Sequence, residues 1–387
     1  MPVINARCIP YIMATPGLNP DIIFSSSNLI NLDLFDEKNY WIVEFDHVNA
    51  INYLEKSIPE YIIQATKSSK ITLLLSNTNE GEYDVIDSIY KKVIVEWEIP
   101  EKNVVLVSEG ADIATKISEF ANKWQRLPIE TWWSRLFEHH ASWVIQPDRS
   151  PLLKFKNYDK KFLCFNRRPR PHRTKLLALL KIKNLFDKGY ISTGNIPWTD
   201  CYSMLMSAQP ELKNNKIGEL LRLHGAEKFD IKQQTLDVEH DFNRKQLEIY
   251  HPRHVKTDEY YQNTYFSVVT ETRCDRNGSR VISEKTFKPI INNHPFILVT
   301  VPHVLKLLRE IGYRTFDGII DESYDSESDD STRLLMIVDE IERLSNLDNN
   351  QLQVFLEKTR EICEHNYNHL LSLKNSSSFM TKTNRIF

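Results

Sequence analysis

The sequence lacks the cysteine spacing that disulfide-stabilised domains and thiolate zinc sites require. Its cysteines are odd in number and stand far apart, with no Cys-x-x-Cys pair: Cys8, Cys164, Cys201, Cys274 and Cys363. Neither a disulfide framework nor a cysteine-based zinc site is therefore expected. This cysteine usage fits a reducing compartment, and we expect a cytoplasmic protein.

Long apolar runs and a strong charge imbalance are also missing. The first residues show no basic segment followed by an apolar one, and no stretch of sequence approaches the length of a membrane span. We therefore expect a soluble protein without a membrane span. The formal net charge of −3 gives no overall attraction to nucleic acid. Nucleic acid is expected as a partner only if it is itself the molecule that the protein modifies, as the acceptor of a transferred group.

What the sequence does contain is a repeated alternation of strand-like and helix-like segments. The 387 residues, 41% of them hydrophobic, are enough for two domains. Strand-like runs lie at 41–45, 71–76, 104–107 and 143–145, with helical patterns between them. The alternation restarts after a polar, proline-containing linker at 146–151. The pattern predicts an α/β protein with a parallel sheet in each domain.

The expected division of the chain follows from this pattern. We expect an N-terminal domain over 1–150, a second domain over 151–350, a C-terminal helix over 351–374 and a mobile polar tail over 375–387.

The triplet Ser283-Glu284-Lys285 opens a helix-like segment that runs into an apolar strand at 296–299. A serine at this position caps a helix, and the helix N-terminus together with the Lys285 ammonium forms a cradle for phosphate. Glu284 is suited to accept hydrogen bonds from ribose hydroxyls. The triplet thus indicates a nucleotide-sugar site, the alternative being an ordinary helix cap.

A second cationic segment lies between an apolar strand at 161–165 and a leucine-rich helix. Its loop and the first turn of the helix carry four arginines, residues suited to bidentate phosphate contacts: Arg167, Arg168, Arg170 and Arg173. Because the segment follows a strand, it is expected at the same sheet edge as Lys285. The alternative is a solvated basic loop that pairs with the acidic run at 321–330.

Together these motifs resemble the donor-binding half of GT-B glycosyltransferases, and most of all the fucosyltransferases that use GDP-fucose. The resemblance rests on Asn166 followed by Arg173 at the start of a helix, on a strand that ends at Glu271, and on Ser283-Glu284-Lys285, where the family has threonine at position 283. It implies two Rossmann-like domains that face each other across a cleft, with a C-terminal helix crossing back to the first.

The resemblance also implies roles for single residues. Arg173 and Lys285 would neutralise the donor diphosphate, Glu284 would bind the ribose, and Glu271 would face the sugar. The expected donor is a nucleoside diphosphate sugar, with GDP favoured, and the expected acceptor is a glycan or another hydroxyl-bearing molecule. The binding residues expected from the motifs and the resemblance are Asn166, Arg167, Arg168, Arg170, Arg173, Glu271, Ser283, Glu284 and Lys285.

An inverting transfer also needs a carboxylate that takes the acceptor proton. Glu80 and Glu82, in a polar loop after the 71–76 strand, are the expected general bases, although they could equally be turn residues around Gly81. Asp46 and Glu109 are the reserve candidates. No metal ion or other cofactor is expected, because protein cations supply the charge stabilisation in GT-B enzymes.

Other functions remain open at this level. A metal-dependent transferase of the other common fold could use Asp325 and Glu327, although the run at 325–330 fits an exposed acidic linker better. A non-catalytic protein that binds a nucleotide or a glycan would keep the cradle without turnover. A transferase that glycosylates modified DNA bases would use the arginine loop on the polymer backbone.

Overall fold

The computed structural model describes residues 40–44, 54–55, 58–77, 84–145, 157–166, 170–192, 212, 215–223, 258–275, 278–375 and 380–382. The chain divides into two compact units. Unit 1 comprises Met1–His139, Ser279–Ile282 and Asn375–Phe387, and unit 2 comprises His140–Gly278 and Ser283–Lys374. The predicted linker at 146–151 lies outside the described residues.

Unit 1 is built on one sheet. Its strands are β1 (Tyr40–Glu44), β2 (Thr72–Asn77), β3 (Val104–Ser108), β4 (Glu130–Ser134) and, from the C-terminal segment, β9 (Met380–Lys382). The order is β1-β2-β3-β4-β9, in which the first four strands run parallel and β9 pairs antiparallel with β4. All five residues of β3 are buried, as expected for a central strand of a parallel sheet that is covered on both faces.

The helices of this part of the chain are α1 (Glu60–Lys67), α2 (Asp84–Ile89), which continues as a π-helix over Tyr90–Glu96, α3 (Ile113–Trp124) and α4 (Leu136–Val144). The division between the units falls within α4, after His139. Apolar residues at helical spacing, such as Ile113, Ile117 and Ala121 on α3, pack with Leu73 and Leu106 of the sheet in one hydrophobic core.

Three features of this region differ from the sequence prediction. The strand predicted at 143–145 is wrong, because Trp143 and Val144 end the helix α4, and a three-residue apolar run cannot distinguish the two structures. The strand β4 was not predicted, since its two adjacent tryptophans interrupt an otherwise polar stretch. Met380–Lys382 forms a strand inside the segment expected to be a mobile tail.

Unit 2 contains a four-stranded parallel sheet. Its strands are β5 (Phe162–Cys164), β6 (Gly189–Ile191), β7 (Phe266–Thr270) and β8 (Phe296–Val299), in the order β6-β5-β7-β8. Its helices are α5 (Pro171–Ile182), α6 (Lys216–Leu223), α7 (Asp258–Gln262), α8 (Glu284–Ile291), α9 (Val304–Glu310), α10 (Asp330–Ser345) and α11 (Asn349–Ser372).

The prediction of an α/β protein with parallel sheets is confirmed. The expected C-terminal helix corresponds to α11, which lies in unit 2 and packs against α8. Among the described residues, no helix combines the length and the apolar character that crossing a membrane requires.

Candidate functional site

The order of the strands in unit 2 creates one position that is suited to a ligand. From β5 the chain passes through α5 to β6 on one side, and from β7 it passes through α8 to β8 on the other. The winding therefore reverses between the neighbouring strands β5 and β7. In open parallel sheets, ligands bind at the carboxyl edge of such a pair, which we call the switch point.

Asn166 lies just beyond the end of β5 and ties three strand ends together. Its backbone N–H donates to Ser192 Oγ after β6 at 2.9 Å, and its Oδ1 accepts from Thr270 Oγ1 at the end of β7 at 2.8 Å. Its Nδ2 donates to the Sγ of Cys164 at 3.2 Å. The side chain is fully buried, so Asn166 forms the floor of the switch point.

Two residues in the first turn of α5 bind the end of β7. Arg173 Nη2 donates to the carbonyl oxygens of Thr270 at 3.0 Å and Glu271 at 3.2 Å. His172 Nε2 donates to the same Glu271 oxygen at 2.9 Å. Burial lowers the pKa of both side chains, that of His172 to about 3 with a further contribution from the Arg173 charge, so His172 is neutral at pH 7.

Whereas the backbone oxygen of Glu271 binds the start of α5, its side-chain carboxylate binds the start of α8. Its Oε2 accepts from Ser283 Oγ at 2.5 Å, and its Oε1 accepts from the Ser283 backbone N–H at 3.1 Å and from Thr286 Oγ1 at 2.6 Å. Glu271 is only 2% exposed. A protein carboxylate thus already occupies this helix N-terminus, where the sequence pattern suggests a phosphate cradle.

Glu284 and Lys285 are partly exposed charges in the first turn of α8. Their side chains are 23% and 27% exposed and form an ion pair of 2.8 Å, and Lys285 Nζ also donates to Ser283 Oγ at 3.2 Å. Burial raises the pKa of Glu284, but the charges of Lys285 and Lys288 outweigh it and hold the pKa at about 2. Burial lowers the pKa of Lys285, yet the Glu284 and Glu271 charges raise it above the ordinary value, so both groups are ionised at pH 7.

The structure brings together every predicted binding residue that it describes, and burial sorts these residues into two groups. Four are at most 4% exposed and form a frame: Asn166, Arg173, Glu271 and Ser283. Three are partly exposed at the starts of α5 and α8: Arg170, Glu284 and Lys285. Ligand contact through side chains is therefore open to the second group, while the first group holds the site in shape.

Five further predicted site residues lie outside the described part of the chain. These are the loop arginines Arg167 and Arg168, the general-base candidates Glu80 and Glu82, and the reserve candidate Asp46. The other reserve candidate, Glu109, follows β3 in unit 1 and is buried, and its backbone oxygen accepts from Trp133 Nε1 at 3.1 Å.

Arg333 on α10 also belongs to this edge of the sheet and was missed by the sequence analysis. Its guanidinium donates to the carbonyl oxygens of Cys274 after β7, Thr300 after β8 and Glu327, and pairs with Asp330 at 2.6 Å. The helical period could have revealed it, because Arg333 precedes buried Ile337 by four residues on one helix face.

The acidic run at 325–330 is exposed at Ser326, Ser328 and Asp329, as expected, but two of its carboxylates also bind the starts of helices. Asp325 is 7% exposed, and its carboxylate accepts from the backbone N–H groups of Leu305 and Lys306 at the start of α9. Asp329 caps α10 through the Thr332 N–H. The physical reason is that carboxylates satisfy the donors that helix N-termini leave unpaired.

Within the residues that the structure describes, no group of three or more histidine, cysteine, aspartate or glutamate side chains could hold a metal ion.

A comparison with models of known protein families finds none that matches this chain, and a comparison with curated protein sequences finds no match either.

Proposed function

We propose that the chain is a glycosyltransferase of the GT-B type that binds a nucleoside diphosphate sugar at the switch point of unit 2. One observation carries the proposal. The accessible charges Arg170, Glu284 and Lys285 stand at the starts of the two helices that flank the place where parallel sheets bind ligands.

The chemistry of these groups fits a nucleotide sugar. Two cations, Arg170 and Lys285, would offset the charge of a diphosphate and of the leaving nucleotide as the glycosidic bond breaks. Glu284 is ionised at neutral pH, so it would accept hydrogen bonds from ribose hydroxyls. The buried Arg173 would add positive charge from within the frame, and Arg167 and Arg168 would contribute from the loop before α5.

The second half of the proposal is the proton transfer. An inverting reaction needs a base for the acceptor hydroxyl of a glycan or a similar molecule, and Glu80 and Glu82 of unit 1 are our candidates. A GT-B arrangement of the two units would present them to the donor. GDP is the nucleotide that the resemblance favours.

Calorimetry without added metal tests the donor site. The purified chain is titrated with GDP, UDP, ADP and CMP, and the titrations are repeated with Lys285→Ala and with Lys358→Ala, an exposed lysine on α11, as the matched control. We expect one nucleotide to bind selectively, Lys285→Ala to weaken it at least about tenfold, or about 1.4 kcal/mol, and Lys358→Ala to leave it unchanged. Failure of all four nucleotides to bind would overturn the proposal.

Turnover separates an enzyme from a binding protein. Glu80→Gln and Glu82→Gln are compared with the wild type for nucleotide affinity and for release of nucleotide from the matching sugar donor, with water and added glycans as the acceptors of the sugar. We expect one of them to lower release about 100-fold with affinity unchanged. Binding with no release in the wild type would instead identify a non-catalytic nucleotide-binding protein.

A further inference from the structure

Glu271 is the residue at the switch point that contacts both flanking helices. Its backbone oxygen accepts from His172 and Arg173 on α5, and its carboxylate accepts from Ser283 and Thr286 at the start of α8. Glu271 directly follows the last residue of β7. It therefore fixes the starts of the two helices relative to the same strand end.

The hydroxyl of Ser283 extends this connection to Lys285. Ser283 has one hydroxyl hydrogen, which it donates to Glu271 Oε2 at 2.5 Å. Its oxygen lone pairs then face Lys285, whose backbone N–H lies at 3.3 Å and whose Nζ lies at 3.2 Å. The carboxylate of Glu271 thus orients the serine so that it can accept from the ammonium group.

Direct contact between Glu271 and a ligand would break this arrangement. The carboxylate accepts three hydrogen bonds within the protein and is 2% exposed. A ligand group would have to displace donors that are already well placed, and a buried carboxylate that loses its donors is costly.

We propose that Glu271 is a positioning residue, which acts through Ser283 to hold Lys285 at the switch point and does not itself touch the nucleotide. This inference rests on the proposed function, and it differs from the role that the family resemblance implies, in which Glu271 faces the sugar. It assigns nucleotide contact to Lys285 and Glu284.

A double-mutant cycle tests the inference. The affinities for GDP and UDP are measured by calorimetry for Glu271→Gln, Lys285→Ala and the double variant, with Glu310→Gln, an exposed glutamate on α9, as the matched control. If Glu271 acts through Lys285, each single variant loses about tenfold and the double variant loses no more than Lys285→Ala alone. Losses that multiply to about 100-fold would show independent contact with the nucleotide and overturn the inference, as would full affinity in Glu271→Gln.

Two variants of Ser283 keep the test decisive if Glu271→Gln fails to fold. Ser283→Thr preserves the hydroxyl, whereas Ser283→Ala removes it. We expect Ser283→Thr to bind nucleotide as the wild type does and Ser283→Ala to lose about tenfold. Equal affinity in the two variants would contradict the proposed route through the hydroxyl.

Hydrogen exchange separates this inference from the proposed function. In the ligand-free protein, the Ser283 and Lys285 amides should exchange at least about tenfold faster in Glu271→Gln than in the wild type, because their acceptor network is weakened. If no nucleotide binds the wild type, the proposed function fails. Unchanged exchange at the Ser283 and Lys285 amides is a separate result, which would show that Glu271 does not hold the start of α8.

Discussion

Arg333 shows at the residue scale how a buried charge is accommodated in this protein. It is 1% exposed, and three carbonyl oxygens and the carboxylate of Asp330 surround its guanidinium. A charge removed from water is tolerated only when its donors are satisfied in this way. Since Cys274 and Thr300 follow β7 and β8, Arg333 joins the two strand ends next to the switch point.

We therefore expect Arg333→Lys to destabilise the protein strongly. The ammonium group cannot reach all the acceptors that the planar guanidinium fork serves, so buried carbonyl oxygens lose their donors. The expected loss in the free energy of unfolding is about 3 kcal/mol, measured by urea denaturation followed by circular dichroism.

The matched control is Arg314→Lys. Arg314 has a 51% exposed side chain and pairs with the exposed Glu361, and such surface pairs contribute little. Its expected effect is within about 0.5 kcal/mol. Equal stabilities of Arg333→Lys and Arg314→Lys would show that the guanidinium bonds of Arg333 do not stabilise the fold.

Residue types are visible in the sequence, but burial is not. The pattern Ser283-Glu284-Lys285 predicts a helix cap, and Ser283 does accept from the Lys285 N–H. It does not reveal that Glu271, twelve residues earlier, supplies a carboxylate to the same turn, because that contact depends on how β7 and α8 pack. For Arg333, the helical period indicates a shared face with buried Ile337, but the carbonyl oxygens that its guanidinium binds again depend on packing.

At the scale of elements, α11 shows how a helix start is encoded locally. The side chain of Asp348 accepts from the Gln351 N–H at 2.9 Å, and Gln351 Oε1 accepts from the Asp348 N–H at 3.0 Å. This reciprocal capping box satisfies two backbone donors. The helix expected over 351–374 is observed over Asn349–Ser372, and the capping box fixes its start at Asp348, just before the apolar periodicity begins.

Asp348→Ala removes the cap, and we expect it to lower the free energy of unfolding by about 1 kcal/mol. The control is Asn350→Ala, which changes an exposed residue in the same turn and leaves the capping box intact. Urea denaturation at pH 7 measures both. An Asp348→Ala protein as stable as Asn350→Ala would mean that α11 is fixed by its packing and not by its cap.

Elements with a weak local signal were the ones mispredicted. β4 has polar residues at both ends, and Trp132 is placed by burial in the sheet, where its Nε1 donates to Glu130 at 2.7 Å. The pairing of β9 with β4 joins residues about 250 positions apart, so no local pattern can predict it. Longer amphipathic helices have a stronger local signal, since buried Ile113, Ile117 and Ala121 recur at helical spacing along α3.

On the scale of the whole molecule, βα alternation predicts parallel sheets because parallel strands need a crossover between them. It does not give the order of the strands. The order β6-β5-β7-β8 places β7 beside β5, although the two strands are about 100 residues apart in sequence. This parallel pairing of β5 with β7 creates the switch point. The sequence pattern places the predicted residues near the ends of β5 and β7 and the starts of α5 and α8, but it does not show which of them are buried.

The buried histidines make global stability depend on pH. His294 Nε2 donates to the Thr264 oxygen at 2.9 Å and its Nδ1 accepts from Ser267 Oγ at 2.8 Å. Burial lowers its pKa to about 4, just as burial and the Arg173 charge lower that of His172 to about 3. Both histidines have an ordinary pKa of 6.5 when unfolded, so the unfolded chain takes up protons first as the pH falls.

The stabilisation from each neutral histidine is therefore complete above pH 6.5 and is lost as the pH falls toward the folded pKa. Between pH 7 and pH 5 we expect the free energy of unfolding to drop by about 2 kcal/mol per histidine, from the difference in proton uptake. Urea denaturation at the two pH values measures the drop. In His294→Gln the decrease in the free energy of unfolding between pH 7 and pH 5 should be smaller by about 2 kcal/mol, since glutamine does not titrate. An unchanged decrease in this variant would show that His294 becomes protonated equally in the folded and unfolded protein.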